Sequence, residues 1–330
     1  MTRAKRHHYV PASYLARFGE NGSVLVRRRG KSTMYPTNVK NVAVEGGFYE
    51  ITGDDGQPSD SVERALAGLE SKALTALTGV EQSQRLPSPG SSDREALATF
   101  LAVQFTRTPL NRERIMFPVR VARYAGDREI DATLMAEYLE REHLGFRPQD
   151  SEVRGALDLT QYMLGEREFF TKDNAIRLAF SAVEPLERVI LGMHWSLEVA
   201  RKPRLVTSDA PLVLWRPPTS RAQFEGLGLN NAEEVRFPIN PAMQLLLTHQ
   251  VREPVTRIEP DRVRACNADL ASACYQVVVG HPQRERQLRL LELRARRPVV
   301  RFNTGPGYRT MPDGTSEYMG EILHSWVPWH

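Results

Sequence analysis

Apolar positions recur along the chain with two different periods, and the switch between them divides it into three stretches. In residues 1–52, Ser23-Val24-Leu25-Val26-Arg27 and Gly47-Phe48-Tyr49-Glu50-Ile51 read as short strands either side of a Gly/Lys/Ser/Thr/Pro loop. From 53 to 192 the period becomes helical. Val62, Leu66, Leu69, Ala73 and Leu77 form one face of a helix over Ser61–Thr78, opened by Asp60 or Ser61. Asp93 is placed to cap a helix over 94–108, which Pro109 must end at or before Thr108. Asp173 opens a further helical stretch toward Leu191, with Pro185 placed to kink it. From 193 onward the pattern turns to strands at 195–199, 204–207, 212–215, 236–239, 245–248, 276–279 and 299–302, with a helix predicted over 283–296.

This order predicts an α+β fold. A helical N-terminal and middle region packs on a β-rich C-terminal half in one large domain over 1–302. The remainder, 303–330, is Gly/Pro-rich and reads as a loosely attached tail. Composition agrees with a globular chain: 41% of the 330 residues are hydrophobic and 25% charged, which excludes a wholly disordered one. No apolar run approaches the roughly 20 residues of a bilayer span. The basic start, Met1 to His8, lacks the apolar stretch of a secretion signal, so a cytoplasmic protein is expected. Cys266 and Cys274, about 12 Å apart on one predicted helix, are beyond disulfide reach and read as small core residues.

The net charge of +4 rests on arginine, since lysine occurs only at 5, 31, 40, 72, 172 and 202. Guanidinium forks suit phosphate, which makes nucleic acid the expected partner; a coding bias toward arginine is the plainer alternative.

Four places carry candidate chemistry. The first is His7-His8-Tyr9-Val10-Pro11, which resembles the opening strand of HNH-type nucleases. There one histidine acts as general base on the attacking water while its neighbour helps hold the metal. Asn38 and Asn41 are available for the rest of that pattern. No histidine occurs between His8 and His143, so the metal half is missing unless a carboxylate such as Glu45 replaces it. Otherwise one of the pair is exposed and the other packs with Tyr14 and Phe18.

The second is Glu63 with Glu70, stacked at the edge of an apolar helix face and about 10.5 Å apart along the axis. They cannot both ligate one ion; one can serve as ligand or base while the other orients an arginine, or both are simply solvated. The third is the stripe Leu97, Phe100, Leu101, Gln104, Arg107, Thr108, which starts apolar and turns polar within two turns. A buried Gln and Arg need partners, so they either lock the core by pairing with Glu63 or Glu70, or line a cavity that holds an anion. The fourth is Thr207-Ser208-Asp209-Ala210-Pro211, a polar corner at a strand end. Such corners present a carboxylate to ligands in α/β sheets, or close on themselves as Asx-turns.

Walker and dinucleotide glycine loops, a Gly-x-Ser-x-Gly elbow and a His-Glu-x-x-His pair are all absent, which removes support for kinase, dehydrogenase, serine hydrolase and zincin readings. The arginines at 284, 286, 289, 294, 296 and 297 form either a phosphate-contacting helix face or an ordinary solvated one.

Taken together, His7-His8-Tyr9-Val10-Pro11 with Tyr14-Leu15 and Phe18, Asn41-Val42-Ala43-Val44-Glu45, Gln104-Phe105-Thr106-Arg107-Thr108-Pro109, the Thr207–Pro211 corner and Phe237-Pro238-Ile239-Asn240-Pro241 resemble the bacterial family catalogued as domain of unknown function 4238. The family's corner more often carries Asn where Ala210 stands here. The resemblance implies no established activity; it implies that these polar residues recur together, as a shared site would require. The expectation is that His7, His8, Glu63, Gln104, Arg107 and Asp209 converge on one pocket. Such a set suits metal-assisted or acid–base hydrolysis of a phosphodiester in nucleic acid, with Mg²⁺ or Mn²⁺ as the metal. His8 would be the base, Glu63 and Asp209 ligands or orienters, and Arg107 the clamp for developing charge. The alternative is a non-catalytic binding module for an anionic ligand in a bacterial defence or regulatory system.

Overall fold

The structure, a computed structural model, describes residues 6–46, 51–52, 58–59, 61–165, 172–217, 227–310 and 316–326. The chain begins with β1 (Arg6–His8), a short helix α1 (Ala12–Leu15), β2 (Ser23–Arg28), β3 (Met34–Asn38), β4 (Val44–Gly46), β5 (Ile51–Thr52) and β6 (Pro58–Ser59). Helices follow: α2 (Ser61–Ser83), α3 (Ser92–Thr106), α4 (Pro109–Ile115), α5 (Phe117–Ala125), α6 (Ala132–Tyr138), α7 (Asp150–Gly165), α8 (Lys172–Ser181) and α9 (Val183–Gly192). The last stretch holds β7 (His194–Ala200), β8 (Thr207–Ser208), β9 (Val213–Trp215), β10 (Glu234–Asn240), β11 (Met243–Thr248), β12 (Val255–Ile258), α10 (Pro260–Ala273), β13 (Val277–Gly280), α11 (Glu285–Arg289), β14 (Arg301–Thr310) and β15 (Ser316–Trp326). The fold is α+β, with its helices concentrated in the middle.

Two sheets carry β7 to β13, and β14 pairs with β15 in a third. One has the order β12-β7-β11-β10-β9, antiparallel except for the β12–β7 pair. The other, β3-β2-β13-β8, takes two strands from each end of the chain: Val277 pairs with Arg28 and Val279 with Val26. The N-terminal hairpin is therefore an integral part of a sheet closed some 250 residues later. β1 stands outside both sheets and pairs only with β4, His7 opposite Glu45 and His8 opposite Val44.

One apolar cluster fills the space between α2, α3 and the five-stranded sheet, with Tyr14, Phe18, Leu77, Leu97, Phe100 and Phe237 fully buried in it. Tyr14 is tied down at its polar end, donating to the Pro238 carbonyl at 2.7 Å and lying 2.8 Å from Thr207 Oγ1. A second cluster surrounds Phe117, Met135, Tyr138 and Phe302. Cys266 and Cys274 are free and buried, as the predicted helix requires.

Element boundaries differ from the periodicity in instructive ways. The helix predicted to end at Thr78 runs on to Ser83 because Ala76, Leu77 and Val80 keep burying one face. Ser91, not Asp93, caps α3, accepting from the Arg94 amide. The first four residues of the predicted strand 47–51, and the proposed cap Asp60, lie outside the described residues. The stretch toward Leu191 is two helices, α8 and α9, with the break at Ala182 and Pro185 in the first turn of the second, where it removes no internal hydrogen bond.

Two expectations are corrected. The helix predicted over 283–296 is a 3-10 turn followed by the five residues of α11. Two buried-stem arginines of β2 and its following turn explain the stop. Arg27 donates to the carbonyls of Leu288, Arg289 and Leu291, and Arg29 to those of Arg294 and Arg296, so side chains take the carbonyls that a longer helix would use. The tail is not loosely attached. β14 and β15 form a long hairpin, Phe302 is 1% exposed inside the second cluster, and Thr304 donates to Asp158 on α7. Gly155 of α7 lets this happen: a Cβ there would stand 2.7 Å from the backbone of Asn303.

Candidate functional site

β1 is too short to bury a face of its own, yet its alternation decides what its two histidines do. His7 points inward and is 1% exposed; His8 points to the other face, with Arg6. The 3-10 turn Val39–Asn41, capped by the Asn38 side chain accepting from the Lys40 amide, runs beside them. The backbone carbonyls of Lys40 and Val39 lie close enough to the His8 ring to favour its protonated form. Its Nε2 is buried and has no hydrogen-bond partner among the described residues. Burial holds the His8 pKa below its usual value; Arg6 pushes the same way, while the two carbonyls and Glu70 push back. His8 is thus a neutral imidazole near pH 7.

Glu70 is presented by α2 and held by Arg107, whose Nη1 lies 2.5 Å from Glu70 Oε1. Arg107 owes its position to Pro109. The proline cannot continue α3, so the chain turns at Arg107 and restarts in α4 with Thr108 as cap and Pro109 at the first helical position. The Arg107 side chain, 1% exposed, lies back along α3, where the Gln104 amide oxygen accepts from both Nε and Nη2. That amide orientation is assigned from the donors it faces. Gln104 is 1% exposed. The polar end of the α3 stripe is therefore a buried lock: Gln104 holds Arg107, and Arg107 holds Glu70 beside His8.

Of the six residues expected to converge, Gln104 and Arg107 meet, and the Glu70 they hold is linked to His8 only through its charge; His7 lies on the opposite face of β1. Glu63 lies two turns earlier on α2, half-buried; Glu70 is the carboxylate that the lock selects. Arg107 is filled by its partners and does not act as an open clamp. Asp209 belongs to a different structure. It is fully buried, and its carboxylate accepts from the amides of Tyr275 at 2.8 Å, Gln276 at 2.6 Å and Val277 at 3.1 Å, fixing the start of β13. Burial pushes its pKa up to about 6 against the pull of those amides, which leaves it ionised at pH 7 as three N–H donors require. Its charge acts on Tyr9, whose phenol pKa is raised by burial and then by Asp209.

Sequence reasoning passed over two cations at the site. Arg6 shares the His8 face and donates to Asn41 Oδ1 at 3.3 Å; Arg112 pairs with Glu45 at 2.8 Å, both partly exposed. The spacing of Arg6 and His8, two residues apart, was the available signal once β1 is known to be a strand. Among the described residues no three His, Cys, Asp or Glu side chains are grouped to hold a metal ion, and Glu45 faces Arg112 instead of completing an HNH set.

The fold and this arrangement define an α+β protein in which a half-buried imidazole feels the charge of a locked carboxylate. The model of the family described as protein of unknown function (DUF4238) matches residues 6–284, and the chain belongs to that family. No curated protein and no solved structure matches it. No helix among the described residues is long and apolar enough to cross a membrane.

Proposed function

We propose that the protein is an acid–base phosphodiester hydrolase acting on nucleic acid, with His8 as general base. The observation that carries this reading is the state of His8: a ring kept neutral by burial, whose buried Nε2 has no hydrogen-bond partner among the described residues. A buried polar atom without a partner costs on the order of 1–3 kcal/mol, and such costs persist where function requires them. In the reaction Nε2 takes the proton of the attacking water, and Glu70 stabilises the imidazolium that forms. Arg107 and Gln104 are positioning residues that keep Glu70 in place. Arg6, exposed on the same face, is the cation available to a phosphate. The donor set does not fit a metal, so no step is assigned to Mg²⁺ or Mn²⁺.

One observation favours the second reading, a non-catalytic binding module for an anionic ligand: both Nε2 of His8 and the Arg107 guanidinium are shielded from solvent. Turnover separates the two. Purified protein is assayed on single- and double-stranded DNA and RNA, with chelator and with Mg²⁺ or Mn²⁺ added. The hydrolase reading expects cleavage that His8→Ala abolishes while the melting temperature stays within a few degrees. If His8→Ala melts far lower and the folded fraction still cleaves, the histidine is a structural plug. If wild type cleaves nothing under any condition, the binding module is the better account.

A further inference from the structure

A cleft of about 270 Å³ opens where the β1–β4 ribbon meets the β3-β2-β13 sheet. Its polar lining is Tyr9, Arg28, Tyr35, Thr37, Asn41 and Gln276; the other five lining residues are apolar, and none of the eleven is acidic. Arg28 in the wall and Arg6, hydrogen-bonded to Asn41, supply positive charge at the cleft, while the Asp209 and Glu45 charges act on Tyr9 from behind the lining. Arg28 donates through Nε to the Tyr35 hydroxyl at 2.7 Å, which sets ring and guanidinium side by side and uses only one of the fork's donors. Tyr35 is 37% exposed and Gln276 is exposed, and both line the cleft, so an aromatic side chain and an amide are within reach of a ligand. The wall turns at Ala43, a non-glycine residue at φ +49° whose carbonyl accepts from the Tyr9 amide. Strain of this kind is concentrated at ligand clamps. The floor is rigid, because the amides of Gln276 and Val277 are the ones Asp209 holds.

We propose that this cleft holds one nucleotide of a single strand, with its base on the Tyr35 ring against the Asn41 and Gln276 amides and its phosphate on Arg28 and Arg6. The chemistry is specific. Each amide offers one donor group and one acceptor, which is what a base edge requires, and an aromatic face accepts any base by stacking. The volume lies just below the roughly 300–1,000 Å³ of pockets for drug-sized ligands, so it admits one nucleotide and excludes a duplex. The proposal rests on the nucleic-acid reading above and names the form of its substrate, since Asn41 joins the cleft to Arg6 on the His8 face.

Nucleoside 5′-monophosphates test it independently of cleavage, because they contain no diester. Binding of the four ribonucleotides to the full chain is measured by calorimetry and thermal shift, with inorganic phosphate and ribose 5-phosphate as controls. At least one nucleotide is expected to bind and raise the melting temperature, while both controls bind at least tenfold more weakly. Tyr35→Ala and Asn41→Ala, substitutions at partly exposed positions, are expected to weaken nucleotide binding about tenfold or more with the unliganded melting temperature little changed. Equal binding of phosphate or ribose 5-phosphate would show an anion site that reads no base and overturn the proposal. So would wild-type affinity in both variants, or no binding at millimolar nucleotide. A protein that binds nucleotide but cleaves no nucleic acid keeps this inference and loses the hydrolase reading; one that cleaves but binds no nucleotide does the reverse.

Discussion

The Asp209 corner and the His8 ribbon both bury a titratable side chain near Tyr9, and they treat it in opposite ways. At the corner three backbone amides converge on one carboxylate, so both of its oxygens are satisfied and the group is closed to any ligand. At the ribbon Nε2 of His8 is buried and left without a partner among the described residues. Complete satisfaction marks a structural device, and a single open atom in an otherwise satisfied setting marks a place where the protein waits for something. The lock of Gln104, Arg107 and Glu70 stands between the two: closed as a hydrogen-bond set, yet aimed at His8.

The largest expected effect falls on the corner. Asp209→Ala leaves three buried amides without an acceptor at the start of β13, the strand that joins the two ends of the chain in one sheet. A loss of about 3–5 kcal/mol is expected in urea denaturation. If the variant loses less than about 1 kcal/mol and yet loses binding or turnover, Asp209 is functional and the contrast with His8 collapses.

Next comes the lock. Arg107→Ala strands the Glu70 carboxylate and the Gln104 amide, at an expected cost of about 2–4 kcal/mol, less than for a fully buried pair because the Glu70 side chain is 21% exposed. Turnover should fall as well, since Glu70 is no longer held beside His8. A second variant separates packing from positioning: Glu70→Gln keeps the size and removes the charge. On the hydrolase reading it should shift the pH profile of turnover to lower pH, because the imidazolium loses its stabilising carboxylate. An unchanged profile would reduce the lock to a packing element.

How much of this was legible in the sequence depends on how local each signal is. The α3 stripe was readable because helical periodicity is local and a Gln and Arg on a core face demand partners; both are buried and both are paired. Pro109 likewise gave the corner that aims Arg107. The Asp209 corner was readable as a corner, but its choice between ligand and turn was not, because the three amides belong to residues 275–277, some 66 residues downstream. The same limit hid the mixed sheet, whose register depends on Val277 meeting Arg28. β1, with three residues, has no periodicity to read, so the separation of His7 from His8 and the pairing of Arg6 with the His8 face emerge only with β4 in place. The hairpin at 301–326 was masked by glycine and proline content, whereas the buried Phe302 and the close approach at Gly155 are contacts that composition does not encode.

The smallest effect is also the most direct probe of the open atom. Burial, the leading cause, holds the His8 pKa below 6.5, so the folded state binds a proton less readily than the unfolded chain. Its contribution to stability is therefore fully present above 6.5 and is lost as the pH falls below that value toward the depressed pKa. Two other groups titrate nearby. His143, also lowered by burial, acts in the same direction. Asp209, raised from 3.8 to about 6, acts oppositely: its stabilisation is present below 3.8 and is lost as the pH rises through about 6. Wild type alone would therefore mix opposing slopes. The difference between wild type and His8→Gln removes both neighbours, since they are common to the two proteins. That difference should move against wild type as the pH drops from 7 to 5, by an amount smaller than either effect above because the ring is partly solvated. Parallel stability curves would mean that His8 titrates as it does in the unfolded chain, and the buried, proton-resisting imidazole from which the ribbon's function is argued would be gone.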